Sequence, residues 1–272
     1  MTRVIVHTGF HKTGTSSLQS YLAENRKALK PYMVFYGKAA FLQAGSAARI
    51  YGQKPFPWRR RAFRRSLDAF LASVPDAPVI VLSRETFSGA MPGHRRIFGG
   101  MVRDYRRAAV PLGREIVAAL QARFGPEVQV EFLHTLRERE SWIRSVYGHL
   151  LRSIHLTEDF AAFRARFPDL IDLRDEAQRI ASRLHLSAHH VVALDEVGAA
   201  REGPAKAVLD LVGVPQDLRD ALPPARRANS GQSPALEAEF LALNRSGRSK
   251  AWLKARKDAM LRDAAQNTDP HQ

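Results

Sequence analysis

The apolar and polar positions of this chain alternate between short β-type runs and longer helical stripes. Val4, Ile5, Val6 and Thr8 flank His7 and predict a buried strand over 3–8. The run PVIVL, Pro78 to Leu82, predicts a second strand over 78–83. Alternating Val128, Val130 and Phe132 predict a third over 127–134, and His189 to Leu194 a fourth over 189–194. Between these runs apolar residues recur at spacings of three and four. Leu18, Tyr21 and Leu22 begin one such stripe; Trp142, Val146 and Leu150, with Ile143, Tyr147 and Leu151, form two adjacent rows. Helices are expected near 14–29, 59–73, 101–124, 139–154, 158–167, 173–184, 205–213 and 234–244. Short strands separated by helices predict one three-layer α/β/α domain with a mostly parallel central sheet. Residues 31–75 read as a long insertion between the first two strands, rich in Gly, Ala, Arg and aromatics. With 87–105 it is the expected acceptor pocket and lid, because variable specificity usually resides on such loops. Residues 246–272 are polar and charged and read as a C-terminal helix or tail, with Trp252, Leu253 and Leu261 as its docking residues.

The first strand runs into a glycine loop. Gly9 and Gly14 keep the G-x-x-x-x-G spacing of a triphosphate-binding loop, but Thr15 and Ser16 follow the second glycine where that motif needs Lys. The cation sits earlier, as Lys12. The second strand ends in Ser83-Arg84-Glu85, without the Asp that would complete an NTPase metal shell. Lys12, Thr13, Gly14, Thr15, Ser16 and Ser17 therefore offer a cation, hydroxyls and backbone amides at a helix start, a set suited to an anion held by hydrogen bonds alone. A turn that merely capped the helix would need one hydroxyl, not four.

The motif H-K-T-G-T-S-S-L-Q after a first strand resembles the 5′-phosphosulfate loop of the sulfotransferase family, in particular its bacterial branch. The resemblance implies 3′-phosphoadenosine 5′-phosphosulfate as donor and a P-loop NTPase-like sulfotransferase fold. It also implies a second signature, an Arg at a strand end and a Ser eight residues on, holding the 3′-phosphate. Arg137 and Ser145 match it, and Tyr147 completes the usual S-x-Y. Family members often carry Pro two residues after the Arg, where this chain has Arg139. Later segments follow in order to about residue 245. His189 to Glu196 resembles the family's late strand, and Arg226-Arg227-Ala228-Asn229-Ser230 the basic turn that closes over the nucleotide. The implied domain spans 1–245.

Composition changes the picture in three places. The 272 residues hold no cysteine, which excludes disulfides, thiolate metal sites and cysteine nucleophiles. No apolar stretch approaches a membrane span, and polar residues follow the first strand at once, so a cytoplasmic setting is expected. The formal charge of +15 calls for anionic partners, or a tolerance of them. Its densest run, Trp58 to Ser66 with five arginines, reads either as a solvated helix face over inward Phe63, Leu67, Phe70 and Leu71, or as a clamp for an acidic acceptor or membrane surface. The dispersed basic residues and the lack of an RNA-binding or zinc-finger motif argue against nucleic acid.

The function expected is sulfuryl transfer from this donor to a hydroxyl or amine of a carbohydrate or other small acceptor, an acidic or membrane-associated one among the candidates, with 3′,5′-adenosine bisphosphate as product and no metal required. Lys12 is expected to meet the bridging and sulfuryl oxygens, the amides of Thr13 to Ser16 the 5′-phosphate, and Arg137, Ser145, Arg226 and Arg227 the nucleotide. Glu85, just past the second strand, is the first choice of general base, since the bacterial branch often has Ser-x-Glu there, and adjacent His11 competes with it. A P-loop kinase or NTPase, and a non-catalytic protein that binds the donor or its product, remain alternatives.

Overall fold

A computed structural model describes residues 1–226 and 233–266, with side chains to residue 263. The chain divides into two compact units, one made of 1–142 with 170–228 and the other of 143–169 with 229–272. That cut falls within the expected 1–245 domain rather than at its end.

The first unit is an α/β fold on five parallel strands. In chain order these are β1 (Arg3–His7), β2 (Val34–Tyr36), β3 (Val79–Ser83), β4 (Gln129–Leu136) and β5 (Ala188–Ala193). They lie side by side in the order β2-β3-β1-β4-β5. The β1 register places His7 beside Ser83 on one side and Leu133 on the other. The chain leaves β1 toward β2 and leaves β4 toward β5, so the connections diverge at the C-terminal ends of these neighbours. Open parallel sheets place their ligands at such a switch point.

Alternate side chains of the strands feed two cores. Val4, Val6, Ile80, Leu82, Val130 and Phe132 pack with helices α3 (Leu42–Gln53), α4 (Pro57–Leu71) and α5 (Arg106–Phe124). Ile5, Val81 and Leu133 pack on the other face with α1 (Thr15–Glu24), α2 (Arg26–Leu29), α10 (Lys206–Val212) and Leu222 just beyond α11 (Gln216–Ala221). The central β1 and β3 are buried on both faces and are almost continuously apolar, as parallel strands covered on both sides require, whereas β4 carries Glu131, His134 and Thr135 and β5 is partly buried throughout. Helix α8 (Leu173–Ala181) and the short α9 (Leu194–Val197) complete this unit.

The second unit holds most of α6 (Arg139–Ser153), with α7 (Phe160–Ala165), α12 (Pro234–Arg245) and α13 (Lys250–Gln266). Its interior carries a polar knot. Asn244 donates to the carbonyls of Leu151 and Leu156, and Lys257 donates to the Asn244 side chain at 2.6 Å and the Leu151 carbonyl at 2.7 Å. Burial lowers the Lys257 pKa, and these acceptors hold its ammonium in place of water. Helix α13 docks through Leu253, Lys257 and Met260, whereas Trp252 stays exposed. Among the described residues no helix is long and apolar enough to cross a membrane.

Four elements differ from the sequence expectation. The first helix breaks at Asn25, whose side chain donates back to the Tyr21 carbonyl and competes with the helical ladder. The helix expected from 101 starts at Arg106, because 93–102 fold back on themselves through Gly93–Val102 and Arg96–Gly100 backbone bonds. The three-residue edge strand β2 was too short to give a period. Region 31–75 is a structural layer as well as a loop: Phe41, Ala44, Ala48, Tyr51, Phe63, Leu67 and Leu71 are core residues. Helix α3 escapes the pattern because small residues mediate its packing. A Cβ on Gly52 would sit 2.3 Å from the backbone nitrogen of Ala90.

Gly52→Ala therefore sets two effects against each other. Alanine favours a helix interior by about 1 kcal/mol, while the collision is with backbone that cannot swing away and costs about 1–3 kcal/mol. The variant is expected to be less stable than the parent in urea unfolding, against the propensity scale.

Candidate functional site

The loop joining β1 to α1 is built over a directed chain of buried hydrogen bonds. Thr13 donates its hydroxyl to the Phe10 carbonyl at 2.6 Å and therefore accepts from the Thr135 hydroxyl at 2.9 Å. Thr135, having given its proton to Thr13, accepts from His7 Nε2 at 3.1 Å. His7 Nδ1 is then the acceptor for the Ser83 hydroxyl at 2.8 Å, and Ser83 Oγ accepts from Gln19 Nε2 at 3.2 Å. Each hydroxyl has one proton to give, so the sequence of donors assigns the Nε2–H tautomer to His7. Burial pushes the His7 pKa down to about 4, which keeps the ring neutral as the chain demands. One series of side chains thus ties β1, β3, β4 and α1 to the loop.

The loop itself is strained and clamped. Gly9, Lys12 and Gly14 all have positive φ, at 38°, 69° and 87°. At Lys12 the left-handed conformation costs about 1–2 kcal/mol. Opposing that cost, Trp142 Nε1 donates to the His11 carbonyl at 2.9 Å and the His11 amide donates to the Tyr105 hydroxyl at 3.1 Å. Tyr105 also stacks on Phe10 with ring centroids 4.6 Å apart. Gly14 is the N-cap of α1, and a Cβ there would lie 2.8 Å from Leu194 and 3.0 Å from Pro204. Glycine is required for conformation and for space.

No side chain caps the N-terminus of α1. Thr15 is 5% exposed, and its Oγ1 is buried with no hydrogen-bond partner. An unsatisfied buried hydroxyl carries a desolvation cost of about 1–3 kcal/mol that an incoming acceptor would relieve. Lys12 and Ser17 are half-buried, and Ser16 is exposed. The whole set read from the motif, Lys12 to Ser17, shares one loop and first turn, and within it the Thr13 hydroxyl is spent inward on Phe10 and Thr135.

A field of cations surrounds His11. Its pKa falls to about 3, first by burial and then through His94, Arg84, Lys12 and Arg49. Arg84 follows β3, is 7% exposed and donates to Thr86 Oγ1 at 2.9 Å and the Lys38 carbonyl at 3.3 Å. Glu85 begins the 3-10 turn Glu85–Ser88, and its Oε2 is buried without a partner. Its charge is felt at His7, Arg84 and Tyr105, so Lys12, His11, Arg84 and Glu85 converge at the C-terminal ends of β1 and β3.

Arg137 lies one residue past β4, half-buried, with Nε donating to Ser141 Oγ at 3.2 Å. Glu138 accepts from the amides of Glu140 and Ser141 at 2.8 and 2.7 Å and caps α6 with its own carboxylate. Ser145 is half-buried on α6 in the second unit. Arg226 is exposed, and Arg227 lies outside the described residues, as do Ala228, Asn229 and Ser230. Arg49, Arg84, His94 and Tyr105 were missed as site residues. Arg84 stood within the S-x-E motif, but nothing in the sequence joins Arg49, His94 or Tyr105 to the loop.

No protein-family model matches the chain, and no curated protein matches it. Among solved structures, a thymidine kinase described as EHV4-TK complexed with TP4A aligns over 89% of this chain and 98% of its own, at 12% identity and a TM-score of 0.31. At that TM-score the likeness bears on neither fold nor activity.

Acid should weaken the fold through His7. Its folded pKa of about 4 lies below the ordinary imidazole value of 6.5, so between these pH values the unfolded chain binds more protons and stability falls as pH falls. Full loss of this contribution is about 3 kcal/mol. In urea unfolding from pH 7 down to pH 4, His7→Gln should show a shallower decline than the parent.

Proposed function

We propose that this protein transfers a sulfuryl group from 3′-phosphoadenosine 5′-phosphosulfate to a hydroxyl or amine of a small or glycan acceptor. The observation that carries the reading is the uncapped start of α1, where the orphan Thr15 hydroxyl stands beside a lysine displaced into the loop. The first-turn amides, a hydroxyl and a cation match the oxygens of a 5′-phosphosulfate. The residues present fit such a donor, which when bound supplies the sulfuryl group and the phosphate that leaves with the nucleotide. Lys12 would stabilise negative charge gathering on the leaving oxygen, and the first-turn amides and Thr15 would orient the phosphate. Arg137 offers a planar fork for a dianionic phosphate.

Between the two bases, Glu85 is favoured. A histidine held near pKa 3 by burial and by its basic neighbours resists taking a proton, and its Nδ1 already meets the Tyr105 hydroxyl at 3.1 Å. Glu85 has a carboxylate oxygen with no competing partner. Neutral His11 would serve better as a positioning residue under the acceptor. The reading carries with it a cytoplasmic setting, where this donor is made.

The second reading, a P-loop kinase or related nucleotide-binding protein, draws on the Gly9–Gly14 spacing and the five-stranded parallel sheet. Calorimetry separates them. The parent should bind 3′,5′-adenosine bisphosphate in preference to ATP with Mg²⁺, and Arg137→Ala should weaken the bisphosphate by about 2 kcal/mol. Preference for ATP with Mg²⁺, or indifference to Arg137, would overturn the sulfuryl-transfer reading. Glu85→Gln should keep the bisphosphate affinity and lower kcat by about a hundredfold or more; tight binding without turnover on any acceptor in the parent would mark a non-catalytic binding protein.

A further inference from the structure

The arginine run is sorted by the fold into two groups. On α4, Phe63, Leu67 and Leu71 face the core, which turns the flank bearing Arg60 and Arg64 toward α5. There Arg60 meets Glu115 at 3.2 Å, and Arg64 meets Glu115 and Asp68 at 3.5 and 2.7 Å. These two are structural. Trp58, Arg61 and Arg65 follow at i, i+3 and i+7 and share the outward face. Among the described residues Arg59, Arg61 and Arg65 make no ion pair, and all three are exposed.

The same face carries apolar surface that the fold does not use. Trp58 is 57% exposed and stacks flat on Phe56, centroids 4.4 Å apart. Between α3 and α4 runs a groove of about 280 Å³, lined by Gln43, Ser46, Ala47, Ile50, Arg59 and Ala62. An exposed indole beside unpaired guanidinium groups is the combination that settles at a headgroup boundary, with rings at the acyl edge and cations among phosphates. An acidic polysaccharide or nucleic acid would use the arginines but has less use for the groove, whose lining includes Ala47, Ile50 and Ala62.

We propose that the outward face of α3 and α4 docks this protein on the surface of an anionic lipid bilayer. The inference stands on this face alone and does not depend on the sulfuryl-transfer reading. Charge complementarity supports it: the chain is +15 overall, and the unpaired Arg59, Arg61 and Arg65 stand on the first turns of α4 with the exposed Trp58.

Flotation of the full chain with vesicles of equal parts phosphatidylcholine and phosphatidylglycerol, against phosphatidylcholine alone, tests it. Binding is expected only to the anionic vesicles and should fall with added salt. The double variant Arg61→Glu, Arg65→Glu should bind about tenfold or more weakly, while Arg174→Glu, Arg179→Glu, which changes the charge equally on exposed positions of α8, should bind as the parent does. In a Trp252→Phe background, Trp58 emission should shift to the blue on binding, since the remaining Trp142 is buried. Equal loss in both double variants would reduce the effect to net charge and overturn the proposal. So would binding that ignores Arg61 and Arg65, or retention on heparin with no affinity for the vesicles. Circular dichroism of each variant confirms that the fold is kept.

Discussion

The loop after β1 rests on a histidine that must stay neutral. His7 accepts from Ser83 on one side and donates to Thr135 on the other, and Thr135 passes the same polarity to Thr13 and the Phe10 carbonyl. A protonated ring would present two donors, turn the Ser83 hydroxyl around and place a charge where burial removes water. The chain of donors and the low dielectric therefore enforce each other. Because its members come from three adjacent strands, a helix and the loop, it converts sheet register into loop conformation.

Above this neutral layer the charges are arranged differently. Arg84, Lys12 and Arg49 all raise the potential at His11, and the Glu85 carboxylate acts on Arg84 in turn. Such a site accepts negative charge readily and a further proton reluctantly. The strain at Lys12 belongs to the same design: a left-handed lysine can hold its position only while Trp142, Tyr105 and Thr13 clamp the residues on either side. Rigidity is built beneath the loop, and the buried Thr15 hydroxyl is left without a partner in the first turn of α1.

The α3–α4 layer shows how one segment serves the core and the surface at once. Its inward residues close one face of the sheet, and close approach at Gly52 brings α3 against the segment that follows Glu85. Its outward residues keep arginines and an indole that packing does not consume. The pairing of Arg60 and Arg64 with Glu115 shows that the run is divided by helical geometry, not spread evenly in solvent.

The sequence by itself determined the α/β class, four of the five strands, the long helices and the β1–loop–α1 unit with its displaced lysine. These are local properties, since hydrophobic period and glycine spacing act within a few turns of chain. It could not reveal β2, too short to show a period, nor α3, whose Ala and Gly packing leaves little apolar signal. It marked Thr13 and Thr15 as equivalent hydroxyls. Tertiary structure alone separated them, turning one inward to Thr135 and leaving the other without a partner. The same holds for Glu176, whose carboxylate accepts from the amides of Tyr105 and Arg106 at the start of α5 from seventy residues away. Which nitrogen of His7 carries its proton, which carboxylate oxygens lack a partner and which arginines are unpaired depend on contacts between distant segments, and those exist only once the sheet has set its register.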